Sequence, residues 1–291
     1  MKNYLPKLLI TGADGQLGHA LRAHENATHY ELIACNRAQL DITQPAAIDE
    51  TIKKFSPDII INTAAYTAVD KAEQETETAM QVNYHAVAKL ASICQQHRIP
   101  IIHFSTDYVF DGNTHSAYKE DDKTNPLNVY GKSKCLGEEA VRQSCEQHII
   151  LRISSVFSEY GNNFLKTILR HAREKKELNI VADQFSCPTD AANIAGVVYE
   201  MLNHLHSSGT YHYCDAPIVS WYKFATVIIE HAKKYQTLSV EKIHAIAAHE
   251  YARAANRPAY SALNCDKLER DYGIATSGWQ HSLDRICKEL I

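Results

Sequence analysis

The chain has 291 residues, 45% of them hydrophobic and 22% charged, the balance of a folded globular protein rather than a disordered one. That length suits one compact unit or two closely joined lobes. A formal net charge of −4 argues against a general nucleic-acid binder, which needs a basic surface, and leaves room for a local pocket that takes an anionic small molecule. No apolar stretch is long enough to cross a bilayer. The opening MKNYLPKLLITGADG has only a short apolar run and no small-residue cleavage site, so it reads as a first strand and not as a signal peptide. The 8 cysteines, at 35, 94, 135, 145, 187, 214, 265 and 287, contain no CxxC pair. Reduced thiols in a cytoplasmic protein fit that spacing. The 16 histidines form no HExxH motif. His204 and His206 have ligand-like spacing but stand at a polar helix end, and no metal is expected there.

The first half alternates regularly. KLLIT (7–11) is a short apolar run followed by glycines, and a helical stretch runs from about Gln16 to Ala23. ELIAC (31–35) is the second strand, and Ala46 to Phe55 a helix with Pro45 near its start. DIIINTA (58–64) is a third strand. Ala79 to Gln96 is a long helix with Val82, Ala86, Leu90 and Ile93 on one side. PIIHFST (100–106) is a fourth strand, Lys132 to Gln147 a helix and HIILRIS (148–154) a fifth strand. This rhythm predicts crossover units and a parallel sheet, and near-continuous apolar strands suit a sheet covered on both faces.

Beyond about Ser155 the rhythm loosens. Asn163 to Arg173 reads as helix, LNIVA (178–182) as strand, Ala191 to Leu205 as helix, TYHYC (210–214) as strand and Trp221 to Lys234 as helix. The segment 248–264 is mixed and contains Pro258. The expected fold class is α/β: a Rossmann-type doubly wound parallel sheet with a smaller, interleaved C-terminal lobe. Residues 1–155 would form the dinucleotide-binding domain, segments of about 178–205 would return to it, and 156–291 would be mainly substrate lobe.

LLITGADGQLGHAL carries Gly12, Gly15 and Gly18 between a strand and a helix. One glycine permits the tight turn, one lets the backbone approach a pyrophosphate, and one lets helix and strand pack closely. The helix N-terminus offers its N–H groups and partial positive charge to the phosphates, with Gln16 and Leu17 in its first turn. The acid that usually follows the second strand in NAD-binding folds is missing, and Asn36–Arg37 stands there instead. Two readings of Arg37 stand side by side: a partner for the 2′-phosphate of NADPH, or a solvated surface arginine. Asp41 and Ile42 are placed beside the adenine.

NVYGKSKCLGEEAV (128–141) sets Tyr130 four residues before Lys134, on one helical face. A nearby ammonium favours the phenolate and lowers the phenol pKa from its usual value near 10, so such a tyrosine can protonate a carbonyl oxygen as hydride reaches its carbon. Ser105–Thr106 ends an apolar strand, at the edge where open α/β sheets bind ligands. The Thr106 hydroxyl is placed to hydrogen-bond the oxygen that Tyr130 protonates.

Glycine loop, strand-end threonine, tyrosine and lysine, in this order, resemble the extended short-chain dehydrogenase/reductases and, within them, the dTDP-4-dehydrorhamnose reductase family. The resemblance covers nearly the whole chain through GADGQLG (12–18), NTAAYTAVDKAE (62–73), STDYVFDG (105–112), NPLNVYGKSKCLGE (125–138), GNNF (161–164), DQFSCPT (183–189) and NRPAYSALN (256–264). It implies a catalytic triad of Thr106, Tyr130 and Lys134, and a cofactor-side loop at Ala64, Ala65 and Tyr66. It further implies sugar-side positions at Thr67, Val69, Asp107 and Tyr108, and Asn163 near the diphosphate. Arg257 is read either as a phosphate contact, the better fit to an anionic substrate, or as a packing arginine at a lobe junction. The implied reaction reduces the 4-keto group of dTDP-6-deoxy-L-lyxo-4-hexulose to give dTDP-L-rhamnose, with NADPH or NADH. The implied partner is a dTDP-linked 4-keto-6-deoxyhexose, with no nucleic acid or membrane, and the enzyme a monomer or homodimer.

Two departures stand out. Where the family motif reads R-T-S-W-V, this chain has Arg152-Ile153-Ser154-Ser155-Val156, so Ser155 replaces the aromatic that would flank the sugar. Some family members hold Mg²⁺ through glutamates at a dimer interface, and the matching positions here are Ala20 and Ala192. No metal is expected without those carboxylates. Two alternatives remain open: a related dTDP-sugar reductase with a different product, such as one of the dihydrostreptose type, and a cofactor-binding regulatory subunit of methionine adenosyltransferase type. Intact Thr106, Tyr130 and Lys134 argue against the second.

Overall fold

The computed structural model describes residues 4–203, 205 and 208–290, and eight longer strands and nine longer helices organise them. The strands are β1 (Lys7–Thr11), β2 (Glu31–Cys35), β3 (Ile59–Asn62), β4 (Ile101–Thr106), β5 (His148–Ile153), β6 (Glu177–Val181), β7 (Gly209–Tyr213) and β8 (Lys242–Ile246). The helices are α1 (Gln16–Ala23), α2 (Pro45–Phe55), α3 (Ala86–His97), α4 (Val129–Ser144), α5 (Phe164–Glu174), α6 (Ala191–Leu202), α7 (Trp221–Ala232), α8 (Asp266–Tyr272) and α9 (Trp279–Leu290). Shorter two-residue strands and single turns join them.

Six strands form one parallel sheet in the order β7-β5-β4-β3-β1-β2. Both faces are covered, which is why the strands read as unbroken apolar runs. On one face Leu8, Ile10, Ile61 and Ile102 pack with Leu21 of α1 and Ile194 and Val198 of α6. On the other, Leu9, Ile60 and Ile101 pack with Ile48 of α2, Leu90 of α3 and Val141 of α4. A separate core holds the second lobe, where Leu165 and Ile168 of α5, Phe224 and Ile228 of α7, and Trp279 and Leu283 of α9 are all buried. There β6 pairs in parallel with β8, apart from the main sheet.

Side-chain caps set several helix starts. Asn128 accepts from the Gly131 N–H at 2.7 Å and opens α4, and Asn163 opens α5 through the Lys166 N–H at 3.0 Å. The Asn128 cap starts α4 at Val129, three residues ahead of the sequence reading, and places Tyr130 in its first turn. The long third helix also differs from expectation. It begins at Thr76 and passes through a π turn at Gln81–His85 before α3, a widening that a 3.6-residue pattern does not reveal. Gly137 makes room for that turn, since a Cβ there would lie 2.2 Å from the Asn83 carbonyl oxygen.

The segment 178–205 does not return to the sheet as a unit. Its strand, β6, belongs to the second lobe, while α6 packs on α1 and ties to it through the Tyr199 hydroxyl, which donates to Leu21 O at 2.7 Å. The next strand, β7, closes the sheet edge. Helices α8 and α9 and strand β8 add to the elements that the sequence pattern predicts.

Candidate active site

The C-terminal ends of β1 to β5 open into one cleft of about 990 Å³. Gly12 follows β1 with φ +66°, and a Cβ there would stand 2.7 Å from Ala64 Cα. Only glycine fits that turn and that approach. Gly15 caps α1 without a side-chain hydrogen bond, so the first-turn N–H groups of Gln16 and Leu17 are offered to the cleft they line. This bare helix end and the Cβ-free cradle fit a nucleotide pyrophosphate. Gly18 does not line the cleft. A Cβ there would come 2.6 Å from Ala13 Cα, so it serves the close packing of helix on loop. Gln16 is held from the second lobe, its Oε1 accepting from Ser158 Oγ at 2.9 Å and Asn163 Nδ2 at 2.8 Å.

Arg37, Asp41 and Ile42 line the outer end. Arg37 is 82% exposed, with its Nε 3.6 Å from Asp41 Oδ2. Partial burial pushes the Asp41 carboxyl up, but hydrogen bonds from Thr43 and the Arg37 charge outweigh it and hold the carboxyl below its usual range. Ala64, Ala65 and Tyr66 form the wall after β3, with Thr67 and Val69 beyond them. Asn83, fully buried in the π turn, clamps that wall. It accepts from the Tyr66 N–H at 2.8 Å, donates to Tyr66 O at 2.9 Å and donates to Ser133 Oγ of α4 at 3.0 Å.

Thr106, Asp107, Tyr108, Tyr130 and Lys134 converge at the inner end. The Thr106 hydroxyl donates to Asp107 Oδ1 at 3.0 Å and accepts from the Tyr108 N–H at 3.1 Å. Asp107 is 2% exposed and also accepts from Ser154 Oγ (2.9 Å) and Ser261 Oγ (2.5 Å). Burial pushes its carboxyl up to about 6 in spite of these three hydroxyl donors. Asp107 thus joins the ends of β4 and β5 to the C-terminal segment. The Tyr108 and Tyr130 rings meet edge to face with centroids 6.0 Å apart, and burial pushes the Tyr108 phenol up to about 12.

Tyr130 and Lys134 line the same cleft, but their electrostatics differ from the sequence reading. Burial is the largest influence on Tyr130 and raises its pKa above the ordinary value, with the Thr106 hydroxyl pulling it back down. The Lys134 ammonium is directed onto β4, donating to Phe104 O at 2.5 Å and lying 3.4 Å from His103 Nε2. Lys134 is 3% exposed. Burial pushes it down to about 8, and the Glu138 carboxylate one turn later draws it up.

Ser155 also lines the cleft, at φ +44°, with its hydroxyl donating to Ser186 Oγ at 2.9 Å. Asn163 lines the cleft as well. Arg257 is not among the lining residues. Its Nη2 pairs with Asp70 Oδ2 at 2.7 Å, and its Nε is buried without a partner. Ala20 lies in the core where α1 meets α6, and Ala192 is half-buried in the first turn of α6. Among the described residues no group of three or more His, Cys, Asp or Glu is placed to hold a metal. His204 and His206 lie outside the described residues.

Sequence reasoning missed the support behind the inner end. Glu138 is fully buried and takes Arg152 in a bidentate pair, Nε to Oε1 at 2.8 Å and Nη2 to Oε2 at 2.7 Å. Burial would raise the Glu138 carboxyl; the Arg152 pair outweighs it and holds it down. Nothing in GEEAV separates this glutamate from its exposed neighbour. Asn62 and His103, polar residues inside the strands IIIN and IIHFST, did carry a visible signal. Phe164 and Trp221 add an aromatic wall from the second lobe, their rings 4.6 Å apart.

The family model described as RmlD substrate binding domain matches residues 6–291. A dTDP-4-dehydrorhamnose reductase of Aggregatibacter actinomycetemcomitans is 42% identical over 289 residues, covering 97% of this chain and 98% of the relative. The chain belongs to the dTDP-4-dehydrorhamnose reductase family. The reductase of that name from Escherichia coli K12 is 37% identical, with 97% of each chain covered. Among solved structures, the family member from Bacillus anthracis in complex with NADP superposes with a TM-score of 0.93 at 32% identity, covering 98% of this chain and all of that one. The family's Rossmann-type α/β fold, with its parallel sheet and flanking helices, is the fold described above.

Proposed function

We propose that this chain reduces the 4-keto group of dTDP-4-dehydro-L-rhamnose to give dTDP-L-rhamnose, with NADPH or NADH, in nucleotide-sugar synthesis for cell-surface polysaccharide. One observation carries the reading. In a chain of this family, a single cleft has a Cβ-free cradle and a bare helix N-terminus at one end and Thr106, Tyr130 and Lys134 at the other.

Gly12, Gly15, Gln16 and Leu17 would hold the pyrophosphate, Arg37, Asp41 and Ile42 the adenosine, and Ala64 to Tyr66 the inner cofactor wall. When bound, a reduced nicotinamide supplies the hydride for the ketone carbon. Tyr130 supplies the proton to the ketone oxygen. With its pKa raised by burial, the phenol holds that proton throughout the neutral range, and the Thr106 hydroxyl is the group that draws the pKa back down. Thr106 orients the oxygen, and Lys134 adds a buried positive charge that a ribose hydroxyl can meet. Thr67, Val69, Tyr108, Ser155 and Asn163 face the sugar nucleotide. Asp107 also lines the cleft and braces Thr106, its carboxylate oxygens taken by three hydroxyl partners. In this division the N-terminal sheet takes the dinucleotide and the C-terminal lobe the sugar nucleotide. The setting is the cytoplasm, with the enzyme a monomer or homodimer; no described helix is long and apolar enough to cross a membrane.

The small Ser155 on the cleft wall favours a second product within the same chemistry, a different deoxyhexose. The test is NADPH oxidation with dTDP-4-keto-6-deoxyglucose and its 3,5-epimerase, with the product identified by NMR. dTDP-L-rhamnose is expected. Another dTDP-deoxyhexose moves the reading to the related reductase, and cofactor binding without oxidation moves it to a partner protein.

A further inference from the structure

The sheet register makes Thr11, Asn62 and His103 neighbours across β1, β3 and β4. All three are buried, His103 completely. Thr11 Oγ1 lies 2.6 Å from Asn62 Oδ1, and Asn62 Nδ2 lies 2.9 Å from His103 Nδ1. His103 Nε2 lies 3.4 Å from Lys134 Nζ. Four polar side chains thus run from the sheet interior to the ammonium that lines the cleft.

Their hydrogens obey a strict count. Burial, assisted by the Lys134 charge, pushes His103 well below its usual pKa, so the ring is neutral with a single N–H. An amide oxygen and nitrogen exchange places when the group turns over, so the same heavy-atom positions admit two hydrogen arrangements. In one, with the Asn62 amide oriented as in the structure, Thr11 donates to Asn62, Asn62 donates to Nδ1, and the Nε2–H points at a lone pair that only a neutral Lys134 has. In the other, the Lys134 ammonium donates to Nε2, the Nδ1–H donates to the Asn62 oxygen, and the Asn62 amide donates to the Thr11 hydroxyl. Other groups near Lys134 are the Phe104 carbonyl of β4 and Glu138 one turn later, the latter held by Arg152 of β5, with Tyr130 of the preceding turn lining the same cleft. None of these shares a proton count with the ring.

We propose that His103 is a positioning residue whose tautomer is locked to the charge on Lys134, accepting from the ammonium through Nε2 and so keeping it charged at working pH. When Lys134 loses its charge, one proton leaves the pair for water. The ring keeps its one N–H, which moves from Nδ1 to Nε2, and the Asn62 amide turns over. The inference rests on Lys134 as the active-site cation, but the tautomer is observable without turnover.

The experiment uses the full chain labelled with ¹⁵N-histidine, followed by long-range ¹H–¹⁵N spectra from pH 6 to 10, with His103→Gln assigning the His103 signals. The expected result is an Nδ1–H ring at pH 6 that becomes Nε2–H with a midpoint near 8, matching the alkaline limb of kcat/KM. In Lys134→Met the ring keeps one tautomer throughout. His103→Phe, with no acceptor, lowers the alkaline limb by about one pH unit, a tenfold change in ionisation, while His103→Gln, whose carbonyl can accept, retains it. A ring with one tautomer across the whole range overturns the proposal. So does an unmoved limb in folded His103→Phe. A tautomer switch in a wild-type protein that shows no turnover supports the lock and counts against the enzymatic reading alone.

Discussion

At the inner end of the cleft Asp107 and Lys134 are almost wholly shut from solvent, whereas at the outer end Arg37 leaves 82% of its side chain exposed. The two ends share a cavity but not a dielectric environment. Inside, burial is the first influence on Tyr130, Lys134 and Asp107 and displaces each from its ordinary pKa. Outside, a 3.6 Å Arg37–Asp41 contact is screened by water and contributes little. The inner end therefore has protonation states set by burial, and the outer end an adjustable contact suited to choosing between cofactors.

The contrast can be broken first at Tyr130. Tyr130→Phe removes the proton donor and leaves the outer end untouched, so kcat should fall by about 10³-fold, within the usual range for general acids. NADPH affinity, measured by fluorescence titration, should change little. Full turnover in that variant would remove Tyr130 from the chemistry.

Asp107 tests burial by stability. Its folded pKa, about 6, lies above that of an unfolded aspartate near 3.9. Between those values the folded state binds more protons, so this group's contribution to stability falls as pH rises through about 4 to 6. A two-unit shift corresponds to roughly 3 kcal/mol. Asp107→Asn should lack that pH dependence, seen as a smaller difference between urea midpoints at pH 4.5 and 7. An identical pH dependence in both proteins would show that the carboxyl is not perturbed.

The smallest effect is expected at Arg37. Arg37→Ala should lower the NADPH-to-NADH preference in kcat/KM by tenfold or less, because an exposed guanidinium gives a screened contact. An unchanged ratio would take the arginine out of cofactor choice.

The same contrast explains what the sequence discloses. The glycine loop and the apolar strands are local patterns, so the sheet and its C-terminal edge follow from periodicity and from Gly12, Gly15 and Gly18. Tyr130 and Lys134 at i and i+4 are local too. The direction of the Lys134 head group is not, since it depends on a carbonyl of β4 about thirty residues away. Glu138 reads like a surface glutamate because its partner Arg152 lies on a later strand. The π turn at Gln81–His85 follows from packing against Gly137, which no single-helix pattern encodes. Arg257 shows the same limit: RPAYS leaves both a phosphate contact and a packing arginine open, and the folded chain pairs the arginine with Asp70.

Hydride delivery to the ketone carbon is tested most directly by isotope. NADPH deuterated at the transferable nicotinamide position, turned over with dTDP-4-dehydro-L-rhamnose, should give dTDP-L-rhamnose with deuterium at C4 and none elsewhere on the ring, read by NMR. A product with protium at C4, or deuterium at another carbon, would contradict it.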